Sequence, residues 1–134
     1  MRKVYTISAL AALAVAGLLA QSDSEYQGWM KSNQMTMASL NKNIMAKDGS
    51  AAAADAKTLQ GNFKNIAGFW QGRSTADAVE FANKGAAAAG DVAQAAAAGD
   101  FDKAAASVKT MQGSCGGCHM AHRERTPEGA FKIK

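Results

Sequence analysis

The chain has 134 residues, 15 Lys+Arg against 11 Asp+Glu, a formal charge of +4, two cysteines and one proline. Alanine supplies 31 residues and aromatics only 7%, a balance that favours helix over strand. The length bounds the chain to a single domain, and an all-β fold, a collagen-like chain, a disulfide scaffold and a doubly wound nucleotide fold are disfavoured together.

Arg2 and Lys3 precede a run from Val4 to Ala20 that carries no charge, and a polar segment follows at Ser22–Glu25. This is the layout of a cleavable secretory signal peptide over residues 1–22, with cleavage after Ala20 or Ser22. A retained anchor is the competing reading, although the run sits at the bottom of the spanning length. Removal of Arg2 and Lys3 lowers the formal charge from +4 to +2. No basic stripe then remains, so nucleic-acid binding is not expected; with the leader cleaved, no stable membrane insertion is expected and the location is expected to be periplasmic.

Residues 23–134 read as four helices. The first runs from Ser24, with Asp23 or Ser24 as cap and Tyr26, Met30, Met37, Leu40 and Ile44 on one stripe around polar Asn33. Turn chemistry at Asp48-Gly49-Ser50 ends it. The second carries Ala52, Ala56, Leu59, Phe63, Ile66 and Trp70 and stops at Gly72. Ser74 or Thr75 caps the third, whose stripe is Ala78, Phe81, Gly85, Ala88, Val92 and Ala95, and Gly99-Asp100 breaks it. The fourth spaces Phe101, Ala104, Val108, Met111, Cys115, Cys118 and His122 by threes and fours, until Pro127 bars continuation. Short loops between such segments predict an all-α, antiparallel up-down-up-down four-helix bundle.

Both cysteines fall in Cys115-Gly116-Gly117-Cys118-His119. C-x-x-C-H is the attachment signature of c-type haem: thiols three apart on a helix share a face and can form thioethers to two vinyl groups, and the adjacent imidazole reaches the iron. Glycine costs about 1 kcal/mol in a helix interior, and close approach of a macrocycle would account for Gly116 and Gly117. Beyond the leader the only leucines are Leu40 and Leu59, so a porphyrin would also fill a core that Ala and Met leave thin. Without it, the chain is expected to keep helical signal but pack weakly. A zinc site from Cys115, Cys118, His119 and His122 crowds its ligands. A redox disulfide lacks its βαβ context, and a structural one is strained within a helix.

A bundle with C-x-x-C-H in its last helix resembles cytochrome c′ and the low-spin, methionine-ligated relatives of that family. The resemblance covers essentially all of residues 23–134 and rests on Cys115, Cys118, His119 and Arg123, with His122 where the family carries Phe or Tyr. Near the start of the first helix, Tyr26-Gln27-Gly28-Trp29-Met30 is similar to the family's Arg-Gln-x-x-(Leu or Met) stretch. Gln27 and Met30 match it, Tyr26 replaces the arginine, and the family's longer connection between helices two and three is absent.

The resemblance implies one covalent haem c with Cys115, Cys118, His119, Gln27, Met30 and Arg123 about it, and His119 and Met30 on the iron. Met37 and then Met35 are the next candidates for the sixth position, and the alternative is that all three methionines fill gaps in the core. With methionine bound, the expected function is carriage of single electrons between redox partner proteins, with no enzymatic transformation. An open iron implies instead a five-coordinate protein that binds NO or CO. Trp29, Phe63, Ile66, Phe69 and Trp70 read as core or haem wall; Arg123 and Arg125 read either as propionate partners or as solvated ends of the last helix. The chain is expected to be a monomer or a homodimer, and polar Lys31, Gln34 and Asn41 on helix one disfavour a large apolar interface.

Overall fold

The computed structural model describes residues 23–134 with their side chains, and the helical backbone of the first element from Tyr5. Of the expected leader over residues 1–22, Arg2 and Lys3 lie outside the described residues, and at the cleavage points Ala20 and Ser22 only the backbone is described. Four helices follow one another, α1 (Tyr5–Met45), α2 (Gly49–Gly72), α3 (Ala76–Ala97) and α4 (Phe101–His122). A short antiparallel pair, β1 (Arg123–Arg125) and β2 (Phe131–Ile133), ends the chain. Among the described residues, no helix is long and apolar enough to cross a membrane.

Helix boundaries follow local chemistry. Asp48 caps α2 by accepting from the Ala51 amide at 3.0 Å, and Asp100 caps α4 by accepting from Lys103 at 3.0 Å. Each satisfies one of the amide donors that the first helical turn leaves without a partner. Thr75 is the cap residue of α3 but makes no side-chain cap bond; its hydroxyl donates to the Arg73 carbonyl at 3.2 Å instead.

Two expected boundaries are corrected. Asp23 and Ser24 do not cap the first helix, because α1 runs through them without a break. Asp23 pairs with Arg73 and so ties α1 to the end of α2. The fourth helix stops at His122, short of Pro127. Proline restricts the residue before it to extended backbone, which starts a reversal at Thr126. There Thr126 exchanges backbone hydrogen bonds with Ala130 and Gly129, and Gly129 adopts a φ of 86°. The returning strand places Phe131 opposite Arg125 and Ile133 opposite Arg123.

Most residues of the expected stripes are buried, with Met30, Met37, Ile44, Phe81, Phe101, Cys115 and His122 partly so. Leu40, Leu59, Ile66, Val92 and Met111 are fully enclosed, and alanines of α2 and α3 fill most of the remaining core. Small side chains let α2 and α3 approach closely, and α1 and α4 flank that pair. The outer two scarcely meet each other. The seam between them is where the large side chains of the core run out.

Candidate functional site

A cavity of about 530 Å³ occupies the α1–α4 seam, within the range of about 300–1,000 Å³ usual for small-molecule and cofactor sites. The α4 wall presents Cys115, Cys118 and His119, and the α1 wall presents Met30, Asn33 and Met37. Phe63 and Ile66 of α2 and Phe81 of α3 close its inner side, and Phe131 and Ile133 of the hairpin close one flank. Its mouth carries Gln27, Lys31 and Gln34 from α1 and Arg123 and Lys132 from the hairpin.

Helical spacing brings the motif together. Cys115 and Cys118 are one turn apart on the face of α4 turned to the cavity; Cys115 is half-buried, Cys118 buried, and both are free thiols. Burial raises the Cys115 thiol above its ordinary range. It pushes Cys118 up to about 11, with the charges of Asp77 and Cys115 adding to the rise. Neither thiol is therefore a standing thiolate nucleophile at neutral pH. Burial lowers His119, helped by the Arg123 guanidinium, which favours the neutral imidazole that serves as a metal ligand.

Among the described residues, no group of three or more His, Cys, Asp or Glu side chains is placed to hold a metal ion. His122 also lines the cavity, with Nε2 2.8 Å from Asp77 Oδ2 and its ring 5.0 Å from that of Trp70. Trp70 in turn belongs to a cluster in which Tyr26 stacks on Phe69 at 4.4 Å and meets Trp70 edge-on at 5.7 Å. Tyr26 is thus a buried wall residue.

The other expected site residues separate cleanly. Met30 and Met37 are partly buried on the cavity wall, whereas Met35 is 66% exposed and away from it. Gln27 and Arg123 lie at the mouth, and the Arg123 guanidinium stacks 4.0 Å from the Phe131 ring centre. Arg125 stacks on the same ring from 5.0 Å. The two motif glycines stand in different surroundings: a Cβ on Gly117 would fall 2.5 Å from the Phe81 ring, so packing against α3 gives that glycine a second reason, whereas one on Gly116 meets nothing within 4 Å.

Sequence reasoning missed Phe81, Ser114, Phe131 and Ile133 as cavity residues. Thr126-Pro127-Glu128-Gly129 carried a turn signal that predicts a hairpin, but which cavity the hairpin would cover is set by the packing of α1 and α4. The chain matches no family model, no curated protein and no solved structure.

Proposed function

We propose that the chain is a monohaem c-type cytochrome, similar in kind to the methionine-ligated relatives of cytochrome c′, that carries single electrons. One observation carries this reading. Both thiols of C-x-x-C-H and its imidazole share one wall of an apolar cavity whose opposite wall bears methionines.

The residues fit the group. Cys115 and Cys118 offer two sulfur atoms on one helix face for two thioether bonds, and His119 offers a neutral imidazole beside them. Met30 offers a soft thioether from α1, which favours the ferrous state, and Met37 is the second candidate. Lys31, Arg123 and Lys132 set cations at the mouth, suited to carboxylates at the rim of a macrocycle; Gln27 adds a neutral hydrogen-bonding group there. Phe63, Ile66 and Phe81 keep water from the inner side. Bound haem supplies a one-electron iron couple, and the chain's part is to hold it, orient it and limit solvent access. The leader reading places the protein in the periplasm, where this attachment is generally made, as a monomer or homodimer serving redox partner proteins.

The test is expression of the full chain in a host that attaches haem c, followed by intact mass and optical spectra. A gain of one haem mass is expected, with a low-spin spectrum and the weak far-red band of sulfur bound to ferric iron. Met30→Ala should abolish that band; its survival would move the ligand to Met37. A high-spin spectrum that responds to CO would establish the open-iron, gas-binding alternative. No mass gain would overturn the haem reading altogether.

A further inference from the structure

Strands β1 and β2 form a hairpin that is firmly joined within itself and loosely joined to the helices. The strands pair over three positions, and Thr126 closes the turn through backbone bonds with Gly129 and Ala130. Lys132 Nζ lies 3.1 Å from Glu124 Oε1, and the guanidiniums of Arg123 and Arg125 both stack on the Phe131 ring. Outward, two backbone bonds tie the hairpin to α4: the Arg123 amide donates to the His119 carbonyl, and the Lys134 amide donates to the His122 carbonyl at 3.0 Å. Among the described residues, no hydrogen bond or ion pair joins it to α1, α2 or α3. Ile133, partly buried, is the side chain that seats it on the core.

Of the residues lining the cavity, Arg123, Phe131, Lys132 and Ile133 are those that no helix holds. The helical walls are anchored in the core, whereas the hairpin can leave by unseating Ile133 and releasing Lys134. Its turning point is Arg123, where the backbone passes from helix to φ −122° and ψ 135°. A segment with so few buried contacts opens at small cost. We propose that the hairpin is a cover that swings as one piece about Arg123. It opens the α1–α4 cavity to a planar, largely apolar ligand with acid groups at one edge, and closes on it through Phe131 and Ile133. The inference rests on the haem reading for the identity of the ligand and adds to it the route of entry; the motion itself does not depend on that reading.

Two measurements on the full chain, made without haem attachment, test the cover and its ligand separately. In Cys115→Ser the buried Cys118 thiol is the only target for a maleimide, and its labelling rate follows the open population when closing outpaces labelling. Adding Ile133→Ser should raise that rate about tenfold by weakening the closed form. The rise should depend little on added urea, since opening exposes far less surface than unfolding. An unchanged rate, or a rise that follows urea as steeply as global unfolding, would overturn the cover. The second measurement mixes ferric haem with the free-thiol chain. Ile133→Ser should speed both uptake and release; a fixed wall would speed release alone, and that result overturns the entry route. Should Ile133→Ser fail to fold, Ile133→Val decides, with changes of about two- to threefold expected in the same directions. Faster labelling in a chain that takes up no haem would sustain the cover and fail the haem reading.

Discussion

Gly116 and Gly117 are adjacent, chemically identical and differently constrained. Replacing either by alanine removes the same backbone freedom and gains about 0.8–1.0 kcal/mol of helix propensity. At Gly116 the new methyl meets open space; at Gly117 it meets the Phe81 ring. Overpacking of that kind costs about 1–3 kcal/mol. Gly116→Ala should therefore raise the urea midpoint, and Gly117→Ala should fall below it by about 1–3 kcal/mol. Equal midpoints for the two variants would show that Phe81 yields without cost. The sequence announces two glycines in a helix; which of them is structural depends on a ring some 36 positions earlier in the chain.

The same distinction applies to the methionines. Met30, Met35 and Met37 are equally plausible thioether ligands by composition. Phase along α1 turns Met30 and Met37 inward and Met35 out. Asn33 falls in the same phase as Met30 and Met37, and its hydrogen bond with Asn62 was illegible because that residue lies on another helix.

At the scale of elements, the caps divide into bonded and unbonded. Asp100 holds the Lys103 amide, whereas Thr75 holds none in α3. Asp100→Ala should cost about 1 kcal/mol, within the usual range of about 0.5–2 for a lost cap, and Thr75→Ala should cost distinctly less. Thermal or urea unfolding of the two variants side by side checks the difference, and a Thr75 effect as large as that of Asp100 would contradict it. The three interhelical turns were legible in Asp48-Gly49, Gly72–Thr75 and Gly99-Asp100, because turn and cap chemistry is local. The hairpin was only half legible. Thr126–Gly129 announces a reversal, but extended pairing of Arg123–Arg125 with Phe131–Ile133 depends on stacking of two guanidiniums on Phe131 and on seating Ile133 against the core.

At the scale of the whole molecule, the buried groups around the cavity set a pH limit. Burial pushes the Tyr26 phenol from 10.0 up to about 12. The unfolded chain loses this proton first as pH rises, so the contribution of Tyr26 is complete below pH 10, declines between 10 and about 12, and is gone above. In protein without attached haem, Cys118 behaves alike between its ordinary value of 9.0 and about 11. Unfolding midpoints should thus fall from about pH 9 in the free-thiol chain. Tyr26→Phe should remove the portion of the decline above pH 10, and Cys118→Ser the portion that begins near pH 9. Midpoints that fall identically in parent and variants would show that other groups govern the loss.

The periodicity of apolar residues, the caps and the single proline determined four helices, the last three of nearly the observed lengths, since helix formation is governed by contacts three and four residues away. The C-x-x-C-H spacing likewise determined that two thiols share a face of α4. Only tertiary structure decided that α1 and α4 stand apart, that the resulting seam encloses the motif with Met30, Asn33 and Met37, and that the C-terminal hairpin borders it. Those outcomes come from how alanine-rich α2 and α3 draw together and leave the bulkier faces of the outer helices apart. Packing between residues far apart in the chain has no counterpart in local spacing.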